Sequence, residues 1–393
     1  MINPSNVGEW IREVEERPES APLIIRELAN RLIELDRLNE KLRAENMELS
    51  TGLKVYQYKD KIAELEYQLE ILSRQLDPAA ILYSDTLNLL IYNQRGQLLK
   101  LEFSPNELTT GASLATLKSQ ETPAAANLRL LAVSPKEELL LMFDSGRVTP
   151  LPVESLPLIE TADLSWAAAY TEDLRSDREL VTLLPIGKMA SFDQSLQVSR
   201  RGHARKITRS FFQRYIGQGN IGKGIDLSNP MDAPLNLTLA NETDLFVIVT
   251  KQGYVLGLPA NTLPVAGNRV IKLDPDDSVM TAFTLREGQS LVVVTQEGRA
   301  VRFESSWVKP AAGPGGRGQP IWPKSKITAG IQVAGAAAAH DDDWGLGLKQ
   351  DGSLVAVKIS DIPISKSNRI EHPLKNIYPF DLAAFTIVPI NNL

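Results

Sequence analysis

Leu245-Phe-Val-Ile-Val-Thr-Lys-Gln-Gly253-Tyr-Val255 and Leu291-Val-Val-Val-Thr-Gln-Glu-Gly298-Arg-Ala-Val301 are two copies of one unit. In each, an apolar run rich in β-branched residues stops at a glycine-centred turn and resumes. That is a β-hairpin, with glycine supplying the positive φ of the tight turn. Working outward, weaker copies turn at Gly96, Gly146, Gly202 and Gly352. The six glycines are 50, 56, 51, 45 and 54 residues apart. Recurrence at that period marks a small sheet repeated in a blade or solenoid architecture. Proline-containing trailers follow several hairpins, as in Ser104-Pro-Asn-Glu-Leu108, Val153-Glu-Ser-Leu-Pro157, Ala260-Asn-Thr-Leu-Pro264 and Ile359-Ser-Asp-Ile-Pro363.

The repeats begin after residue 80 and a different pattern precedes them. Ile25, Leu32, Asn39, Asn46 and Leu53 recur every seven residues, interleaved with Leu28, Leu35, Leu42, Leu49 and Tyr56. This is a heptad seam, and asparagines at two a positions favour a parallel two-stranded coiled coil, because a buried Asn is best satisfied by its twin. The alternative is one amphipathic helix folded against its own repeat domain. The pattern breaks at Ser50-Thr-Gly52 and resumes out of phase from Ile62 to Leu76; Asp77-Pro-Ala-Ala ends it. The expected organisation is an N-terminal segment at 1–22, a dimeric coiled coil at 23–77 and the repeats at 78–393.

The chain has 393 residues, no cysteine and a formal net charge of −6. Lack of cysteine excludes disulfides and thiolate chemistry and fits a reducing compartment. No apolar stretch is long enough to span a membrane, so a cytoplasmic protein without a membrane partner is expected. Residues 1–77 hold 11 Lys and Arg against 16 Asp and Glu, so most of the net negative charge lies there. The repeat region is close to neutral overall but locally uneven.

Its most uneven stretch is residues 198–224, VSRRGHARKITRSFFQRYIGQGNIGKG. It carries Arg200, Arg201, Arg205, Lys206, Arg209, Arg214 and Lys223 with no acidic residue. Unmixed charge repels itself, so a polyanion is the natural partner. Phe211, Phe212 and Tyr215 lie among the cations as core residues or, alternatively, as base-stacking ones. Gln218-Gly-Asn-Ile-Gly-Lys-Gly224 is a glycine-rich loop whose amides could approach a phosphate, but it lacks the Lys-Ser/Thr and following helix of a P-loop. A second glycine-rich stretch around Arg317 has Arg299, Arg302, Lys309, Lys324 and Lys326 nearby. His203, His340 and His372 are far apart in sequence, and His340-Asp-Asp-Asp343 fits no calcium-loop spacing, so no metal, cofactor or catalytic activity is expected.

The Thr-x-x-Gly hairpins, their proline trailers and the loop at 218–224 together resemble the C-terminal domain of the DNA gyrase A subunit and its topoisomerase IV relative, over roughly residues 80–390. That family carries a box reading Gln-Arg-Arg-Gly-Gly-Lys-Gly; here Gln218-Gly-Asn-Ile-Gly-Lys-Gly224 keeps the first Gln and the last Gly-Lys-Gly and loses both arginines. The resemblance implies an all-β six-bladed β-pinwheel whose blades exchange strands and whose rim binds and bends double-stranded DNA without sequence preference. With the box degraded, basic rim contacts from the third and fifth blades are expected rather than a full wrap. The expected DNA-binding residues are Arg200, Arg201, Arg205, Lys206, Arg209, Arg214, Gln218, Lys223, Arg299, Arg302, Arg317 and Lys324. Arg214-Tyr215 is similar to the Arg-Tyr pair of the gyrase cleavage module, but stands beside the box rather than in a winged helix. Two functional readings follow. One is a non-enzymatic, nucleoid-associated DNA-binding dimer. The other is a protein scaffold, or an accessory subunit of gyrase or another DNA machine, that has lost DNA wrapping.

Overall fold

The computed structural model describes residues 4–50, 86–121, 123, 127–187, 189–323, 330–366, 372–374 and 382–389. The chain divides into two compact units, Met1–Leu82 and Tyr83–Leu393.

In the first unit, helix α1 spans Pro4–Glu16 and helix α2 spans Ala21–Ser50, joined by a single 3-10 turn at Pro18–Ser20. Helix α1 falls in a segment for which the sequence suggested no structure. Arg31 links the two helices, with its guanidinium over the Trp10 ring, and pairs with Glu27 one turn earlier at 2.9 Å. Among the described residues the seam positions Ile25, Leu32, Leu35 and Leu42 are 65, 70, 47 and 49% exposed, and Leu28 is half-buried. The break at 51–52, the leucines from 62 to 76 and the boundary near residue 78 lie outside the described residues.

The second unit is a ring of six small antiparallel sheets. Blade 4 is typical. Leu245–Thr250 and Tyr254–Pro259 form the hairpin, Val279–Leu285 lies on its inner side and Gln319–Pro320 on its outer side. The outer pair of residues belongs to the following blade. Phe246, Val247, Ile248 and Val249 are all fully buried, because a middle strand is sandwiched between neighbouring blades. This accounts for continuous apolar runs where a half-exposed sheet would show alternation. The inner strands, among them Arg129–Val133, Pro234–Ala240 and Val333–Ala339, line an axial cavity of about 520 Å³.

Strand exchange follows a single rule around the ring. Each turn glycine accepts, through its carbonyl, a hydrogen bond from the segment that the next blade donates. The pairs are Glu172 N to Gly96 O at 2.8 Å, Ile221 N to Gly146 O at 2.9 Å, Val270 N to Gly202 O at 2.8 Å, Ile321 N to Gly253 O at 2.9 Å and Leu374 N to Gly298 O at 3.0 Å. Leu117 N to Gly352 O, at 2.8 Å, closes the circle from blade 1 back to blade 6. Glycine is needed here twice over. Gly253 has φ +83°, and a Cβ on it would meet the buried Trp322 ring at 2.4 Å.

Two segments that the sequence left unplaced acquire roles from this rule. Tyr170–Thr171, in the weakly patterned 158–180 stretch, is the strand donated to blade 1. In the C-terminal tail, His372–Pro373 is donated to blade 5 and Leu382–Val388 is the inner strand of blade 6. The tail therefore completes blade 6, and Ser113–Thr116, donated by blade 1, closes the ring.

The proline trailers also have a common structure. Blades 1, 2, 4, 5 and 6 follow their hairpins with one 3-10 turn, at Pro105–Glu107, Val153–Ser155, Ala260–Thr262, Ser305–Trp307 and Ile359–Asp361. A buried aliphatic residue comes next in each case: Leu108, Leu156, Leu263, Val308 and Ile362. Blade 3 differs. There the turn is replaced by helix α3, Arg209–Gly217.

Candidate nucleic-acid interface

Helix α3 and the loop after it form one unit built onto the edge of blade 2. Phe212 of α3 is 1% exposed and joins Leu140, Met142 and Val148 of blade 2 and Ile207 of blade 3 in one cluster, with Tyr215 and Ile216 packed against it. The opposite face of α3 carries Phe211, Gln213 and Arg214 outward. The chain then turns back on the helix, with Asn220 N donating to Tyr215 O, and meets the edge of blade 2 at Arg147 and Val148, Val148 N donating to Gly219 O at 2.9 Å.

The loop is pinned from inside by a pair of polar residues. Fully buried Gln197 donates to Gly222 O at 3.0 Å and Lys223 O at 3.1 Å, and accepts from Arg205 Nε at 2.9 Å. Arg205 also donates to Ile221 O. Burial lowers the Arg205 guanidinium from its ordinary pKa, with the Tyr215 charge acting in the other direction. Gly219, Gly222 and Gly224 all adopt positive φ. A Cβ on Gly224 would meet Gln197 Oε1 at 2.3 Å, so the close approach of loop to strand requires glycine.

Four of the loop amides that the sequence suggested could approach a phosphate are engaged within the protein. The amides of Gly219, Asn220, Ile221 and Gly222 are each bonded within the protein, to Ile216 O, Tyr215 O, Gly146 O and Asn220 Oδ1. The loop offers side chains instead, with Gln218 and Lys223 exposed.

The seven cations of 198–224 divide by environment. Arg200 pairs with Glu179 at 3.1 Å and lines the axial cavity rather than the rim. Arg201 donates to the carbonyls of Pro275 at 3.3 Å and Asp277 at 2.5 Å. Arg205 is the clamp just described. Lys206 reaches Asn261 O at 2.6 Å, and Arg209 reaches Ala190 O at 2.5 Å and Phe192 O at 3.3 Å. Arg214 and Lys223 are exposed and have no hydrogen-bond or ion-pair partner among the described residues. Carbonyl partners leave a guanidinium's charge intact, so the field here stays positive although several side chains are fixed. Nearby, two hydrogen bonds from Ser228 and then the Arg269 guanidinium hold the Asp226 carboxyl below its usual range. It pairs with Arg269 at 3.1 Å, which keeps Arg269 out of the positive patch.

Among the fifth-blade expectations, Arg302 needs correction. Arg302 is 2% exposed, pairs with Asp341 and donates to Ile359 O at 3.1 Å and Ile362 O at 3.3 Å; it ties blade 5 to blade 6 and cannot reach a duplex. Arg317 is bonded to Asp274 and lies over the Tyr254 ring, and Arg299 is 3.7 Å from Glu297. Each of these cations faces a carboxylate. Lys324 and Lys326 lie outside the described residues. In the His340-Asp-Asp-Asp343 segment, Asp343 is buried and accepts from His340 N at 2.7 Å, as a turn cap does. Arg302→Ala should lower stability by about 2–4 kcal/mol, because two buried carbonyls lose their donor, and should leave duplex affinity unchanged. Urea unfolding and a binding isotherm on the same preparation check both halves.

Residues 244–286 and 289–321 match the family of the DNA gyrase C-terminal domain, a β-propeller. The ring as a whole superimposes on the C-terminal domain of DNA gyrase A, with a TM-score of 0.60, 14% identity, and 77% of this chain and 99% of that one covered. The repeat region has the gyrase A C-terminal fold. The C-terminal domain of DNA topoisomerase IV is also similar, with a TM-score of 0.51, 19% identity and coverage of 77% and 93%. No curated protein matches the chain. Within this gyrase-type pinwheel, loop 218–224 is the segment that blade 3 donates to blade 2, with Ile221 in the place that Leu117, Glu172, Val270, Ile321 and Leu374 take elsewhere. Sequence reasoning missed Gln197, although a lone amide inside the apolar run Leu196-Gln-Val198 was the available signal.

Proposed function

We propose that this protein is a non-enzymatic, nucleoid-associated DNA-binding protein of the cytoplasm, in which a coiled coil pairs two gyrase-type pinwheels. The observation that carries the reading is the patch at blade 3. Helix α3 and loop 218–224 present Arg209, Arg214 and Lys223 at the surface, in a stretch of chain with no carboxylate from Gln194 to Ile225. Such a patch neutralises phosphates and releases counterions, which gives affinity without base preference. The carboxylate-paired Arg299, Arg302 and Arg317 favour contact along one sector and a local bend over a full wrap. Several phosphate contacts suffice to offset a bending cost of about 1–6 kcal/mol.

Pairing of two chains through α2 adds a second patch at high effective concentration and lets one dimer hold two duplex segments. The exposed Ile25, Leu32, Leu35 and Leu42 stripe, together with Asn39 and Asn46, supports a second copy as the partner. Leu35→Glu with Leu42→Glu should convert a dimer to a monomer in sedimentation and leave the far-ultraviolet signature of the pinwheel unchanged. An unaltered mass would contradict the coiled-coil pairing.

Cross-linking of the protein to a duplex, followed by mass spectrometry, tests the placement of DNA. Cross-links are expected on residues 206–223. Cross-links confined to blades 5 and 6 would contradict the proposed interface. The scaffold reading draws on the lost box arginines and the negative net charge, and would be favoured by a protein partner whose binding survives the loss of Arg214 and Lys223.

A further inference from the structure

Helix α3 is an addition to the repeat, and its outward residues are unlike those of the five one-turn trailers. Phe211 is 53% exposed in a chain whose other pinwheel phenylalanines are mostly buried. Its ring is 6.2 Å from that of Tyr215, which props it from the side, and Tyr215 is itself anchored in the cluster under the helix. Three residues on, and so on the same face, stands Arg214, which has no side-chain partner among the described residues. Gln218 follows one turn later, and Lys223 emerges from the loop bonded back onto the helix. At the other end Arg209 fastens α3 to the carbonyls of Ala190 and Phe192. The helix is thus a rigid mount for one exposed aromatic ring beside Arg214, in a stretch of chain with no carboxylate from Gln194 to Ile225.

Exposing a phenylalanine forgoes about 1.5–3 kcal/mol of burial, and the cluster below could have taken a polar residue at this outward position. A protein partner for this ring would have to bring carboxylates to satisfy the surrounding cations. A duplex brings phosphates on both sides of a groove and stacked bases between them, which matches an apolar ring flanked by cations. We propose that Phe211 is a wedge that enters the minor groove and unstacks one base step, fixing a kink at blade 3. The inference rests on the DNA-binding reading and adds to it the way the duplex is deformed. Wedges of this kind kink DNA toward the major groove by about 20–90° and are favoured at flexible pyrimidine–purine steps.

The test uses the full chain and a short duplex carrying 2-aminopurine at a TA step, with a dye at each end. Saturating wild-type protein should raise the 2-aminopurine fluorescence and shorten the end-to-end distance. Phe211→Ala should lose both signals while its affinity stays within about tenfold, since the unstacking cost disappears together with the ring's stacking gain. Phe211→Leu should keep both, because leucine also serves as a wedge. Arg214→Gln should weaken binding but keep both signals at saturation. Binding by the wild type without a fluorescence rise, or full signals from Phe211→Ala, would overturn the wedge and leave the DNA reading standing. No binding by the wild type would overturn both.

Discussion

Arg214→Glu combined with Lys223→Glu should weaken duplex binding on the order of 100-fold near physiological salt. It should also reduce the slope of log affinity against log salt by about two, one for each phosphate that no longer meets a cation. Both side chains are exposed and bond to nothing among the described residues, so folding should be unchanged and the loss should belong to binding alone. The choice of residues matters. Arg200→Glu would act on a group facing the axial cavity, and Arg205→Glu would break the clamp on loop 218–224, so loss of binding in either would confound contact with structure. Equal affinity in the Arg214 and Lys223 double variant, measured by fluorescence anisotropy over a salt series, would remove blade 3 as the interface.

A second large effect is expected at Gly146. This residue has φ +87°, and a Cβ on it would lie 2.4 Å from the carbonyl carbon of Gly222 and 2.7 Å from its Cα. Backbone cannot step aside as a flexible side chain can. Gly146→Ala should therefore push the donated loop off blade 2, costing about 1–3 kcal/mol for the backbone conformation and about 1–3 kcal/mol more for overpacking. Because the loop carries Lys223 and buttresses α3, DNA affinity should fall with it. Gly288→Ala is the control. Gly288 has a similar φ of +82° but nothing within 4 Å of the added carbon, so it should show the first cost only and normal DNA binding. Equal thermal shifts in the two variants would mean that the exchange contact contributes little.

Much of the ring was legible because its key residues have no substitutes. Only glycine serves a tight turn that is also the seat of a neighbouring strand, so six such glycines counted the blades. The donated strands were not legible. Tyr170–Thr171, Asn268–Arg269, Gln319–Pro320 and His372–Pro373 are two residues each, too short to show any period, and their position is fixed by backbone bonds to a turn some 70 residues away in sequence. The basic segment was legible as a field but not as a set of contacts. Arg201, Arg205 and Arg214 carry the same charge, and what separates them is whether a carbonyl lies within reach of the guanidinium, which depends on neighbouring blades. For the same reason Arg302 looked like a rim cation although it is a buried tie between blades. Helix α3 was hidden within a run rich in arginine and aromatics, where Phe211 and Phe212 are adjacent yet take opposite faces.

Titration of a duplex of about 150 base pairs, one persistence length, with the full-length protein over a series of salt concentrations bears most directly on the central claim. Binding that is sequence-independent and weakens steeply and linearly in log–log form as salt rises is the expected result. Absence of binding at low salt would contradict it, and would leave the pinwheel as a surface for proteins alone.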